Sequence, residues 1–188
     1  MNHSLFKNLL KTLCKSLGMT AWRRDERGTA TVEAVLVFPV MMVMFLGAID
    51  TGNALLTNKK VITASQVVAD LLSRDSSVTD AQIDDAITAG RLALQPFDDS
   101  SYGIDIVGIR FENEEATPTA IWRETRNMSA YDAVIEDSDG LGDEGEGVLA
   151  VTVVYDYHPF FGSVLTDSIE MRETAIVRGR DTPFISRM

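Results

Sequence analysis

The chain has 188 residues with 17 basic and 28 acidic side chains, a formal net charge of −11, one cysteine and two histidines. An acidic surface repels nucleic-acid phosphates, and a lone cysteine excludes an internal disulfide framework. The two histidines, His3 and His158, are too few and too far apart in sequence for a histidine metal cluster.

Charge is divided unevenly along the chain. Residues 1–28 hold Lys7, Lys11, Lys15, Arg23, Arg24 and Arg27 against Asp25 and Glu26, a formal +4. The rest, with 11 basic and 26 acidic residues, carries −15. Between the two lies Thr29 to Ala48, TATVEAVLVFPVMMVMFLGA, in which Glu33 is the one charged residue. At 1.5 Å rise per residue, about 20 residues cross the roughly 30 Å hydrocarbon core of a bilayer. A single spanning helix follows, and the positive-inside rule keeps residues 1–28 in the cytoplasm and exports the remainder. A removable secretory signal is the competing explanation. Its apolar part is typically about 7–15 residues long, whereas this run is longer and begins late. No A-x-A-like site follows before Asp50 and Gly52.

Glu33 needs a reason to be there, since an ionised carboxylate well inside a bilayer costs about 2.5–3.5 kcal/mol on translocon scales. In a plain single-pass anchor, the side chain would snorkel to the headgroups from its place near the helix end. The other reason depends on Gly28. A cut after Gly28 would make Thr29 a new N-terminus, whose positive amine stands five residues from Glu33, counted inclusively. In a packed array of such helices, Glu33 of one subunit would then neutralise the amine of its neighbour, which is how charges persist at low dielectric.

The helical pattern continues past the apolar run. Val61, Ser65, Val68 and Leu72 recur at i, i+4, i+7 and i+11 on one face, leaving Lys59, Lys60 and Asp70 for the solvated side. A helix over 29–73 would extend roughly 68 Å, with a lower half as anchor and an upper half as the spine of the exported domain. Pro39 should kink it or leave a carbonyl unpaired. Gly47 with Thr51, and Ala48 with Gly52, form small-xxx-small pairs that permit close helix approach.

Residues 74–188 form the exported part, opening at the polar break Arg74-Asp75-Ser76-Ser77. Thr79-Asp80-Ala81-Gln82 matches a capping box, which predicts a helix over 80–94 with Ile83, Ile87 and Leu94 inward, ending before Pro96. Ile104, Ile106, Ile109 and Phe111 suggest a strand with an irregularity at Val107-Gly108. A weaker strand surrounds Ile121-Trp122, and the best pair is Val148–Tyr157 with Ile169–Arg178, β-branched and bounded by turn residues. Three or four antiparallel strands packed on helices give an α+β fold, and roughly 115 residues support one modest core.

The stretch 132–147 is acidic and glycine-rich. Its Gly140-Leu141-Gly142-Asp143-Glu144-Gly145 matches the dinucleotide pattern G-x-G-x-x-G, but no helix follows, and Asp143 with Glu144 would repel a pyrophosphate. Asp137, Asp139 and Asp143 are weak calcium candidates, because the third acidic position and the closing glutamate of a calcium loop are missing. A mobile solvated loop is the plainer expectation. No nucleophile elbow or H-E-x-x-H motif is present, Cys14 falls in the basic leader, and His158 before Pro159 reads as a turn residue. No catalytic residue and no cofactor is expected.

Gly28-Thr29-Ala30-Thr31-Val32-Glu33 and the apolar run after it resemble the G-x-x-x-x-E signal of type IV prepilins and pseudopilins. The longer stretch RGTATVEAVLVFPVMMVMFLGAIDTGNAL resembles the N-terminal block of TadE-like minor pseudopilins of the tight-adherence (Tad) pilus. VTVVYDYHPFFGSVL and AIVRGR are similar to the C-terminal segments of those proteins. Ala34 stands where a tyrosine usually follows the glutamate, and the exported part is much longer than in the major pilins. Both departures suit an accessory subunit. The resemblance implies cleavage after Gly28 by a membrane-embedded prepilin peptidase. It also implies residence in the bacterial inner membrane with a periplasmic C-terminal domain, and other minor pseudopilins and the pilus assembly platform as partners. Helix-against-helix pairing with a second pseudopilin would be probed by crosslinking from Val61 or Val68. Tyr155, Tyr157, Phe160 and Phe161 read either as interface aromatics or as strand and core residues. The alternative is an uncleaved single-pass binding or sensor module that keeps its leader and uses its acidic domain to hold a ligand.

Overall fold

Why the second half of the long helix buries only one face is plain in the computed structural model, which describes residues 27–162, 167–180 and 182–188, with side chains from residue 31 onward. Helix α1, Arg27–Leu72, is followed by strand β1 (Ser77–Val78), helix α2 (Asp80–Ala93), strands β2 (Gly103–Glu112) and β3 (Thr117–Arg126) and a short helix α3 (Ala133–Glu136). Strands β4 (Gly147–Tyr157), β5 (Ile169–Arg178) and β6 (Ser186–Arg187) complete the order. The described residues divide into two units, 27–46 and 47 onward. In the second unit Val61, Ser65, Val68 and Leu72 are buried as their spacing predicts, joined by Ala64 and Ala69, while Lys59 and Gln66 stay exposed. That stripe and the α2 residues Ile83, Ala86 and Ile87 pack on Ile104, Ile106, Leu149, Val151 and Val153 of the sheet. Asn58 donates to Glu173 of β5 at 3.2 Å, a side-chain tie between α1 and the sheet.

The main sheet has four antiparallel strands in the order β3-β2-β4-β5. Its α+β character is as expected from the sequence, with β4 starting one residue early and β5 matching the predicted span. The central strands β2 and β4 are buried almost continuously and do not alternate, because both sheet faces are covered. Helix α2 begins with the expected capping box: Gln82 N donates to Thr79 Oγ1 at 3.4 Å, and Thr79 N donates to Gln82 Oε1 at 2.8 Å. Its last helical residue is Ala93, and the buried Leu94 serves as the C-cap.

One expectation needs correction and two are sharpened. The irregularity foreseen at Val107-Gly108 is a bulge whose extra residue lies on the partner strand: Gly108 pairs with Trp122 and Ile109 with Ala120, leaving Ile121 unmatched. Gly108 is glycine because the Trp122 indole lies over it, and a Cβ there would stand 2.2 Å from Trp122 Nε1. The weak strand candidate around Ile121-Trp122 is a full edge strand of ten residues. The acidic stretch, expected to be a mobile solvated loop, carries helix α3 and packs through Val134, while most of its acidic side chains stay exposed. Val134 joins Val107, Ile109, Phe111, Val148 and Ala150 in a second apolar cluster. Phe111 N donates to Glu146 O, and Gly145 N to Phe111 O, both at 2.9 Å. Buried Asp105 accepts from Tyr131 N at 2.9 Å and from Thr125 Oγ1 at 2.6 Å, and lies 3.3 Å from Arg123 Nε. A few apolar residues and one satisfied carboxylate outweigh the acidic composition.

Unforeseen in the sequence is the C-terminal closure. Strand β6 pairs in parallel with β1, Trp122 Nε1 donates to Ile185 O at 2.8 Å, and Arg187 bridges Asp80 and Glu124 at 2.9 and 3.0 Å.

Candidate functional site on the N-terminal helix

A carboxylate at the start of a run of outward apolar groups marks the first part of α1. Val32, Val35, Leu36, Phe38, Val40, Met41, Val43, Met44 and Phe45 are all exposed, and Glu33 is exposed among them. Residues so apolar at every helical angle have no core of their own to enter, and such a helix is a membrane span or is buried by other chains. Thr31–Leu72 is, among the described residues, the one helix long and apolar enough to cross a membrane. Gly28 and Thr29 stand in the first turn of α1, five and four positions before Glu33. Pro39 lies inside the helix.

The small-residue pairs lie just beyond the apolar run. Gly47 and Gly52 have open space where a Cβ would point, and Thr51 turns its hydroxyl back to Gly47 O at 2.8 Å. That hydroxyl is therefore satisfied within the helix. Val61 and Val68, in contrast, are fully buried in the core of this chain, so neither is a position from which a partner helix would be crosslinked.

Asp50 is the residue that sequence reasoning passed over. It is buried, and its carboxylate accepts three consecutive backbone amides at the end of β4: Phe160 N at 3.2 Å on Oδ1, and Phe161 N at 2.9 Å and Gly162 N at 2.5 Å on Oδ2. Tyr157 Oη donates to Asp50 O at 3.2 Å. Burial raises the Tyr157 phenol above its ordinary 10.0, and the Asp50 charge adds to the rise. A carboxylate receiving several amide hydrogens makes strong charge-assisted bonds. An aspartate just past an apolar run was a signal of sorts, but its donors lie 110 to 112 residues away.

The four aromatic residues named from sequence split two and two. Tyr155 and Tyr157 are core residues, whereas Phe160 and Phe161 are exposed. His158 holds a turn, its Nδ1 2.8 Å from Asp167 O. Asp137, Asp139 and Asp143 are not brought together: among the described residues no group of three His, Cys, Asp or Glu side chains has metal-holding geometry. Gly140 and Gly145 adopt φ of +72° and +87° in turns that lead into β4, not into a phosphate-binding helix.

An apolar, outward-facing helix ahead of an α+β domain fits a single-pass membrane protein, with one candidate span among the described residues. A family model described as TadE-like protein matches residues 28–70, in line with the resemblance of the N-terminal block. No curated protein and no solved structure matches the chain. The TadE-like match and the candidate span together fit a membrane protein related to the Tad pilus.

Proposed function

We propose that this chain is a minor pseudopilin, a structural and assembly subunit of a Tad-type pilus. Residues 1–28 form a basic cytoplasmic leader that prepilin peptidase removes after Gly28. Residues 29–73 form the anchor and spine, and residues 74–188 the periplasmic domain. The observation that carries this reading is Glu33, exposed in an apolar belt five residues after Gly28. A carboxylate in that setting is stabilised once a partner cation reaches it, and the free amine of Thr29 on a neighbouring subunit supplies one. The open faces at Gly47, Ala48, Thr51 and Gly52 suit close approach of another helix from the same assembly. The domain needs no cofactor in this role.

Co-expression with and without a prepilin peptidase, followed by intact mass, tests the reading. Loss of residues 1–28 with the peptidase present is expected. A chain that still begins at Met1 overturns the reading and favours an uncleaved anchored binding module. Glu33→Ala is expected to leave cleavage intact and to abolish incorporation into the pilus assembly. Wild-type incorporation of that variant would return Glu33 to a snorkelling anchor residue.

A further inference from the structure

Phe160 and Phe161 form an exposed aromatic pair on the surface of the domain. They are 77% and 41% exposed, adjacent in sequence, and stacked edge to face with ring centroids 4.8 Å apart. Large exposed side chains on a free turn are ordinary, but this turn is not free. Three successive amides, those of Phe160, Phe161 and Gly162, are held by the Asp50 carboxylate. The backbone beneath the two rings is thereby fixed within one hydrogen bond of residue 50.

Residue 50 has a defined level in a membrane protein of this design. It lies two residues past Ala48, the last residue of the apolar run, which is about 3 Å of helical rise. The headgroup layer on each side of the hydrocarbon is roughly 5–7 Å deep. A turn held at residue 50 therefore stands at headgroup level, from which apolar side chains such as Phe reach about 5–10 Å into the boundary between headgroups and acyl chains. Charge does not draw this domain to lipid, since residues 29–188 carry a formal −15. The apolar pair has to supply the attraction.

We propose that Phe160 and Phe161 form a second membrane contact, a lipid-inserted turn that Asp50 holds at the bilayer surface. The occupant of this apolar patch is the headgroup and upper acyl region of the membrane in which the helix is anchored. The inference rests on residues 29–48 spanning that membrane, though not on cleavage after Gly28. With two attachments, helix and turn, the domain cannot rotate freely about its anchor.

Depth-dependent quenching on the full chain tests it. In a Cys14→Ser background, Phe160→Cys, Val40→Cys and Glu114→Cys are each labelled with the environment-sensitive dye NBD. They are then reconstituted into phosphatidylcholine vesicles carrying a nitroxide high or low on the acyl chain. Glu114 is the distal control, because it follows β2 at the end opposite Gly103, and Gly103 pairs with Val154 near the Asp50 turn. The expected result is strong quenching at 160 by the shallow nitroxide, quenching at 40 by the deep one, and none at 114. Raising salt should leave the signal at 160 unchanged, and Asp50→Ala should reduce it. Quenching at 40 without quenching at 160, or equal signals at 160 and 114, overturns the lipid contact and leaves the pseudopilin reading standing. An unquenched position 40 removes the membrane span, and with it both readings. A partner subunit covering the rings would give an unquenched 160 and so also counts against the proposal.

Discussion

The two halves of α1 share a secondary structure and differ in nearly everything else. From Val32 to Phe45 apolar side chains point outward at every angle, whereas from Val61 to Leu72 they occupy one stripe and are buried. The same helical hydrogen bonding thus serves two solvents. In the first half the surroundings must come from outside the chain, and in the second the chain supplies them from its own sheet. Apolar content alone says little about which case holds. The angular distribution of the apolar residues decides it.

The sharpest way to break this contrast is to remove the same kind of contact from each half. Leu72→Ala should cost about 2–5 kcal/mol, because the side chain is fully enclosed between α2 and the sheet. Met44→Ala, at an exposed position, should change the stability of the domain by no more than about 0.5 kcal/mol. Urea unfolding of the full chain in detergent, followed by near-ultraviolet circular dichroism, separates the two. Equal losses would mean that residues 31–46 contribute to the same cooperative unit as the domain.

Glycines sharpen it next. Gly90 on α2 faces the α1 stripe so closely that a Cβ would stand 2.5 Å from Tyr102 Oη and 2.7 Å from Val68 Cγ2. Gly90→Ala should cost about 1–3 kcal/mol by overpacking. Gly52, open on α1, should gain about 0.5–1 kcal/mol on Gly52→Ala, because helix formation then costs less backbone entropy. If that stabilised variant unfolds later yet fails to assemble, the open face is a helix contact. Unchanged assembly would leave Gly47, Ala48, Thr51 and Gly52 as ordinary small residues.

Much of this architecture was legible because its determinants are local. The capping box needs only Thr79 and Gln82, and the stripe on α1 needs only its own spacing. Strand β4 carries a β-branched run, Val151 to Val154, and β5 closes on Thr174, Ile176 and Val177. Strand β3 was harder, since it contains Pro118 and the charged residues Arg123, Glu124 and Arg126, which weaken a strand pattern. Their compensation is distant: Glu124 pairs with Arg187, and Arg123 with Asp105 and Asp132. The acidic stretch misled for the same reason, because Val134 and Tyr131 matter only once Phe111 and Asp105 lie beneath them. For the site, Glu33 stood out as a charge in an apolar run. Asp50 did not, because nothing near it in sequence reveals three amides more than a hundred residues later.

The buried half also contains one misfit. Tyr102 Oη is enclosed between α1 and α2 without a hydrogen-bond partner among the described residues, and burial pushes its phenol well above the ordinary 10.0. A hydroxyl desolvated without compensation opposes folding. Tyr102→Phe should therefore raise stability by about 1 kcal/mol, the reverse of the usual sign for a core change. A loss measured by the same urea unfolding would mean that the hydroxyl has a partner in solution.

The smallest effect concerns where the buried half of α1 ends. Asp70 accepts from Arg74 at 2.6 Å and also pairs with Arg180, which joins the segment after β5 to the helix. The Arg74 hydrogen bond, helped by both guanidinium charges, holds the Asp70 carboxyl below its ordinary 3.8. The carboxylate is thus favoured by folding, so its contribution is complete above 3.8 and is lost as pH falls through the lowered value. Because the group is exposed, water and salt screen the gain to a small one. Asp70→Asn should unfold slightly before the wild type at neutral pH, and the gap should close in acid, well below 3.8. Asp98, lowered by hydrogen bonds from Ser100, keeps its own acid dependence in both proteins, so neither curve becomes flat. A gap that stays constant from neutral to acid pH would show that Asp70 acts by packing rather than by charge, and that α1 reaches the C-terminal segment without an ion pair.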